Sequence, residues 1–144
     1  GLGREVVYEA LEPTRIYVKP FIKAARDVKI KATIHITGDA YLKFDKLAHL
    51  NKGIGFEFRN FKPQPIFTFI QEVSRKRKRL ISDDEMFKTF NMGWGFAVVV
   101  DKALKDETID SLEKGGGEAS MIGTITDSEQ IVIRHKGKRM VLTR

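Results

Sequence analysis

The run Trp94-Gly-Phe-Ala-Val-Val-Val100 carries no charged side chain, and it constrains the fold more than any other segment of the chain. A strand with one wet face alternates apolar and polar residues. A run without alternation belongs to a strand covered on both faces. The chain must supply that cover, and helical periodicity shows where it can come from. Ala40 to Leu50 carries Tyr41, Phe44, Leu47 and Ala48 at helical spacing. Pro65 suits a helix start, where its missing N–H costs nothing, and Ile66, Phe67, Phe69, Ile70 and Val73 then build one apolar face. Ser82-x-x-Glu85 is a capping box with Asp83 and Asp84 in the favourable first turn. Its helix turns Met86, Phe87 and Phe90 to one side and should stop near Asn91–Gly93. Leu104, Thr108, Ile109 and Leu112 mark a further helix, closed by Gly115-Gly-Gly117.

Strands are expected at Lys29 to Ile36, Gly53 to Phe58, Glu118 to Ile122, Gln130 to Arg134 and Arg139 to Thr143. The last two are joined by a hairpin turn at His135-Lys-Gly-Lys138. Strands and helices mix without strict alternation. That predicts an α+β domain, a mixed β-sheet covered by helices, rather than a Rossmann fold. Neither GxGxxG after a strand nor GxxxxGK[ST] occurs, so neither standard nucleotide loop is present. With 144 residues the chain reads as one domain, 1–144, large enough for a core without staples.

The net charge of +7 favours anionic partners, and Arg75-Lys-Arg-Lys-Arg79 concentrates part of it. With no cysteine, disulfides and thiolate metal sites are excluded, which fits a cytoplasmic protein. The apolar runs are too short to cross a bilayer and no leader opens the sequence, so no membrane partner is expected. The start at Gly1-Leu2-Gly3, without Met, reads as an excised domain. His49 and His135 stand alone without metal-ligand spacing. Both read as ordinary surface residues, and no metal site is expected in the chain.

Three polar segments could carry chemistry. His35-Ile-Thr-Gly38 lies where a strand ends and a helix begins, a junction whose backbone N–H groups can hold an anion. His35 could donate a hydrogen bond or move a proton there. Equally, His35 is a satisfied strand residue and Thr37 or Asp39 a plain N-cap. Thr89-Phe-Asn-Met-Gly93 follows a helix. Asn91 offers a donor and an acceptor, and Gly93 lets backbone approach a ligand; alternatively the two are a C-cap and turn. In Glu12-Pro-Thr-Arg-Ile-Tyr-Val-Lys-Pro20, Arg15 could grip a phosphate or carboxylate bidentately, or sit in a structural salt bridge of an opening strand.

These three segments, in this order, resemble the carboxy-terminal domain of the aminoimidazole ribonucleotide (AIR) synthetase family, the phosphoribosylformylglycinamidine cyclo-ligases. The resemblance runs from about Leu11 to about Gly123. It implies an AIR-synthetase carboxy-terminal-domain-like fold and a role in purine biosynthesis. The family uses ATP and Mg²⁺ to convert formylglycinamidine ribonucleotide to aminoimidazole ribonucleotide, ADP and phosphate. It implies that ATP is held mainly by an amino-terminal domain absent from this chain, which would be the chain's partner in a homodimeric enzyme. His35 then becomes a catalytic candidate, and Thr37, Gly38, Asp39, Asn91, Gly93 and Arg15 become substrate-binding candidates on one wall of a cleft. The family pattern continues with glycines after Gly38, where this chain has Asp39 and Ala40. A carboxylate at that point opposes an anion and suits a ribose hydroxyl, an amine or Mg²⁺ better. Thiamine-phosphate kinases and selenophosphate synthetases share the two-domain plan, so the fold alone does not choose the reaction.

A second class stays open. The chain could be a stand-alone binding module that contacts nucleic acid or protein through Arg75–Arg79. Against nucleic acid, the run lacks interleaved aromatics and any recognisable module. As the end of a helix it needs no function, since cations favour that end of the dipole.

Overall fold

Aromatic side chains build the larger of two compact units in the computed structural model, which describes residues 2–142. In chain order the elements are α1 (Val6–Ala10), α2 (Val18–Asp27), β1 (Ala32–His35), a 3-10 turn (Ala40–Phe44), α3 (Asp45–Leu50), β2 (Gly55–Phe58), α4 (Pro65–Lys76) and α5 (Asp83–Thr89). They continue as β3 (Phe96–Val99), a 3-10 turn (Lys102–Leu104), α6 (Lys105–Lys114), β4 (Gly123–Thr126), β5 (Ile131–His135) and β6 (Lys138–Leu142). The larger unit takes the described residues before Thr14, Ile36–Gly95 and those from Gly123 onward; the smaller takes Thr14–His35 and Phe96–Ile122.

The larger unit holds the expected mixed sheet, in the order β4-β2-β5-β6. β2 runs parallel to β5 and antiparallel to β4, and β5–β6 is a hairpin in which His135 faces Lys138. Its two turn residues, Lys136 at φ 49° and Gly137 at φ 74°, both have the left-handed backbone that a tight hairpin turn requires. Phe56, Phe58, Ile131 and Ile133 are buried along the sheet. Tyr41 and Phe44 of the 3-10 turn meet them, with ring centroids 4.6 Å apart for Phe44–Phe58 and 5.0 Å for Tyr41–Phe58. Phe61 and Phe87 close the cluster at 4.6 Å. Each buried ring stabilises the fold by about 1.5–3 kcal/mol relative to exposure. Pro65 stands at the start of α4 and Ser82 caps α5 by accepting from the Glu85 N–H, as their sequence positions predict.

The smaller unit is built differently. β1 and β3 form a two-stranded antiparallel sheet, and α2 packs on α6 through small residues. Ala24, Thr108 and Ser111 are buried. A Cβ at Gly115 would stand 2.6 Å from the Pro20 Cα, so the helix approach itself demands glycine there. Ser111 donates to the Asp27 carboxylate, which Lys23 also holds.

Four expectations need correction. The apolar run becomes strand only over Phe96–Val99, and Ala97 is its one buried residue; a two-stranded ribbon lacks the second layer that the run calls for. Glu118 to Ile122 is not a strand. The pairing starts at Gly123, where a Cβ would stand 2.3 Å from the Glu57 carbonyl oxygen, so the register begins on the residue that has none. The segment from Glu12 to Pro20 is no opening strand: it ends inside α2, with Pro20 in the first turn, where proline is tolerated. The strand at Arg139 to Thr143 is seen as Lys138–Leu142, and Thr143 lies outside the described residues.

His135 is not the surface residue its isolation in the sequence implied. It is half-buried, edge-on to Phe61 at 5.9 Å and Phe87 at 5.2 Å. Burial lowers its pKa, the charge of Lys136 lowers it further, and Asp83 opposes both. A histidine that binds its proton less tightly when folded stabilises the fold above its unfolded pKa of about 6.5, and that contribution is lost as pH falls through the folded value. Unfolding free energy should therefore decline from pH 7 towards pH 5 in a denaturant titration series, and His135→Gln should flatten the slope. An unchanged slope would mean that another group carries it. The lowered carboxylates Asp83, Asp84 and Glu57 titrate below this window.

Candidate functional site

The segment after Ile36 leaves the core in a tight turn, because the Ala40 N–H bonds back to the Thr37 carbonyl at 2.8 Å. Asp39 follows at φ 62° and Ala40 at φ 37°, both left-handed. These are the two positions where glycines are expected from the resemblance, and a positive φ is a physical reason for glycine at each. The expected α-helix N-terminus is instead the 3-10 turn Ala40–Phe44. Asp39 precedes it with its side chain capping nothing. A short 3-10 turn gives a weaker anion site than a long helix would. Among the described residues Gly38 has no heavy atom within 4 Å of where a Cβ would stand, so none of them requires glycine there by contact.

Thr37 is exposed and its Oγ1 accepts from Lys43 Nζ, which brings a cation to the turn. Thr37 and Asn91 meet at a cavity of about 300 Å³, lined also by Ile36, Phe67, Thr89 and Phe90. Phe67 and Phe90 form its apolar side, with ring centroids 5.7 Å apart. Its polar lining residues are Thr37, Thr89 and Asn91.

Asn91 is tied down at both ends. Its backbone carbonyl accepts from the Tyr41 hydroxyl at 2.8 Å. Burial pushes the Tyr41 phenol far above its usual range, so it stays a neutral donor at any physiological pH. The side-chain Oδ1 of Asn91 accepts from the Gly93 N–H at 3.1 Å, which leaves the amide NH₂ as what it offers a ligand. Gly93 has φ 107°, and a Cβ there would stand 2.6 Å from the Lys62 carbonyl oxygen. Both facts give Gly93 a structural reason of its own.

Arg15 and His35 belong to the smaller unit. Arg15 Nη1 donates to Glu118 Oε2 at 3.0 Å, with the two side chains 68% and 69% exposed. Such a pair contributes about 0–1 kcal/mol, so Arg15 can be drawn to another anion at little cost. His35 is exposed at the end of β1, its ring edge-on to Tyr17 at 5.7 Å. The structure thus gathers Thr37 and Asn91 in the larger unit, keeps Gly38 and Asp39 on the adjoining turn, and uses Gly93 for packing. Lys43 and Tyr41 are the site residues that sequence reasoning missed. Tyr41 stood in the sequence only as an apolar-face residue, and nothing there marked its hydroxyl.

Among the described residues no three His, Asp or Glu side chains converge to hold a metal ion. No helix of the described residues is long and apolar enough to cross a membrane. The exposed, uncapped left-handed Asp39 makes a stability prediction: Asp39→Gly should raise unfolding free energy by about 0.5–1 kcal/mol, since left-handed non-glycine backbone costs about 1–3 kcal/mol and Asp lies at the tolerant end. A loss of stability would show that the Asp39 side chain anchors the turn.

The family model of AIR synthase related protein, C-terminal domain, matches residues 2–136. The phosphoribosylformylglycinamidine cyclo-ligase of Methanococcus maripaludis (strain C5) is 36% identical over 151 residues, covering 97% of this chain and 41% of the relative. That of Methanopyrus kandleri is 32% identical over 141 residues, covering 97% and 38%. The chain thus spans about two fifths of the length of the curated relatives it matches. Escherichia coli HypE shares the fold, with a TM-score of 0.59 at 16% identity over 95% of this chain and 44% of that one.

Proposed function

This chain belongs to the AIR synthase related family as a C-terminal domain, and from that premise we propose that it is the carboxy-terminal part of an ATP-dependent phosphoribosylformylglycinamidine cyclo-ligase. The observation that carries the reading is identity of 36% across 97% of the chain to enzymes of that name. The reaction closes the imidazole ring of aminoimidazole ribonucleotide from formylglycinamidine ribonucleotide, in purine biosynthesis in the cytoplasm. The intact enzyme is a homodimer in this reading, and residues 1–144 are its carboxy-terminal domain, the partner of its own amino-terminal domain.

Mg²⁺-ATP does not fit the residues of this chain. Among the described residues no three His, Asp or Glu side chains converge to hold a metal ion, and neither standard nucleotide loop occurs in the sequence. The nucleotide and its metal are therefore assigned to the amino-terminal domain. What this chain contributes is positioning and charge. The Thr37 hydroxyl and the Asn91 NH₂ offer hydrogen bonds to substrate oxygens across the cavity. Phe67 and Phe90 keep water from its apolar side. Lys43 supplies positive charge beside Thr37, which offsets the carboxylate of Asp39. Asp39 is then suited to a ribose hydroxyl or an amine, with Gly38 giving room for close approach. His35 donates to substrate or moves a proton at its imidazole, and Arg15 exchanges Glu118 for a substrate anion.

The test uses paired variants of the intact enzyme. Asn91→Asp keeps the oxygen that Gly93 needs and removes the NH₂ donor. It should lower kcat/KM about tenfold, the scale of one net hydrogen bond, while thermal stability stays within about ±0.5 kcal/mol. His35→Ala should do the same without unfolding β1. Unaltered kinetics in both variants would remove the two residues from the site, and an intact enzyme without ring-closing activity would remove the reading itself.

A further inference from the structure

The larger unit carries a second feature that the cyclo-ligase reading does not use. We propose that Arg75–Arg79, together with the hairpin tip at Lys136 and Lys138, is a binding surface for the phosphate backbone of nucleic acid, blind to base sequence.

The run is a built surface. α4 ends at Lys76, and the chain turns back at once: the Lys78 N–H bonds to the Arg75 carbonyl at 3.0 Å, with Lys78 itself at φ 57°, and the Arg79 N–H bonds to the Ser74 carbonyl at 2.9 Å. Beneath it Ser74 is buried, donating to the Gln71 carbonyl at 2.8 Å and accepting from the Ile81 N–H at 3.2 Å. Gln71 Nε2 then donates to Asp83 Oδ1 at 3.0 Å, and Lys138 Nζ reaches Asp83 Oδ2 at 3.3 Å. Asp83 therefore joins the loop after α4 to the β5–β6 hairpin and brings Lys138 and its neighbour Lys136 to the same side. Residues far apart in sequence meet in one cationic surface.

The charge of the run Arg75–Arg79 itself is uncompensated. Arg75, Lys76, Arg77, Lys78 and Arg79 are all exposed, and none of them has an ion pair among the described residues. Of the acidic groups in the first turn of the adjoining helix, Asp83 is engaged as above and Asp84 by Ser82 and by Lys88 at 3.6 Å, while Glu85 is exposed. Like charges crowded without counter-ions oppose folding, and an anionic ligand relieves that cost.

The chemistry selects the partner. A protein interface needs a desolvated apolar centre with aromatic or aliphatic anchors, and here Leu80 is the one large exposed apolar residue beside the run. A lipid surface likewise calls for an apolar face next to the cations. A phosphate backbone needs neither. Lysine and arginine bind it by displacing condensed counterions, with no pocket and no base contact. Arginine also grips phosphate oxygens through its guanidinium fork.

The test is fluorescence anisotropy with the protein at its full natural length, in saturating ATP so that the nucleotide site is filled. The probes are short labelled RNA single strands and DNA duplexes of unrelated sequence. Binding should be sequence-independent with Kd of roughly 1–100 µM at physiological salt. With on the order of five phosphates neutralised on a single strand, affinity should fall roughly 100-fold between 50 and 200 mM salt. Combined Arg75→Glu, Arg77→Glu and Arg79→Glu should weaken binding by more than about tenfold and make the salt slope shallower by about two. Arg→Gln at the same positions gives a milder version if the reversal unfolds the loop, and ring-closing kinetics should be unaffected in either. An unchanged salt slope in the variants overturns the proposal. So does tighter binding to polyglutamate or to phosphatidylserine vesicles than to nucleic acid, which would assign the surface to a protein or a membrane. Loss of ring closure in the wild type would count against the cyclo-ligase reading and leave these binding results standing.

Discussion

Purified alone, the 144-residue chain should fold cooperatively and give no ATP-dependent ring closure. Folding is expected because the described residues already bury a full aromatic cluster, with Tyr41, Phe44 and Phe87 at 0–2% exposure. Absence of turnover is expected because the chain lacks both a phosphate-cradling loop and a convergent set of acidic ligands among the described residues. The effect is a complete loss relative to the intact enzyme. It is read by thermal unfolding on one side and by ADP and product formation on the other. Mixing in a separately made amino-terminal part should restore some turnover. Ring closure by the lone chain would mean that it holds ATP by itself, and the division of labour proposed above would fail.

Gly93→Ala should destabilise the chain by on the order of 3 kcal/mol. Two costs add: about 1–3 kcal/mol for a left-handed residue with a side chain, and about 1–3 kcal/mol for forcing a methyl into a packed site. The backbone is at φ 107°, and the clash is with the Lys62 carbonyl oxygen, which is backbone and cannot swing aside. The turn pinned by Tyr41 and by Asn91 Oδ1 would shift with it. Denaturant unfolding measures the loss. If stability is kept while kcat/KM falls, glycine is needed at 93 for a ligand's approach, and the packing account is wrong.

Much of the larger unit was legible in the sequence because its signals are local. Pro65 and Ser82-x-x-Glu85 announce helix starts through the chemistry of unpaired N–H groups, and both stand where expected. The turn at Lys136-Gly137 was legible for the same reason: two adjacent residues must take positive φ, and glycine supplies one cheaply. α2 was not legible. Proline within its first turn and Pro13-Thr14 before it look like breakers, and what makes the helix is its contact with α6 across Gly115. β4 was placed too early because register belongs to the partner strand, and the sequence of one strand does not carry it.

The site divides along the same line. Residue type and order in Glu12–Pro20, His35–Gly38 and Thr89–Gly93 together pointed to the AIR synthase related family, since those polar residues stand out from apolar periodicity without any fold to explain them. They also exposed the departure at Asp39 and Ala40. Only the tertiary structure gave that departure its meaning, because φ at each residue is set by the turn that Ala40 makes back to Thr37. Only it joined Thr37 to Asn91 across one cavity, fixed Asn91 through the hydroxyl of Tyr41, and brought Lys43 to Thr37. The reason is general. Caps, turns and periodicity are decided by a few neighbouring residues and their backbone, so they can be read along the chain. A cavity, a buried hydroxyl's acceptor and a shared cationic surface arise between residues dozens of positions apart, where packing chooses the partner.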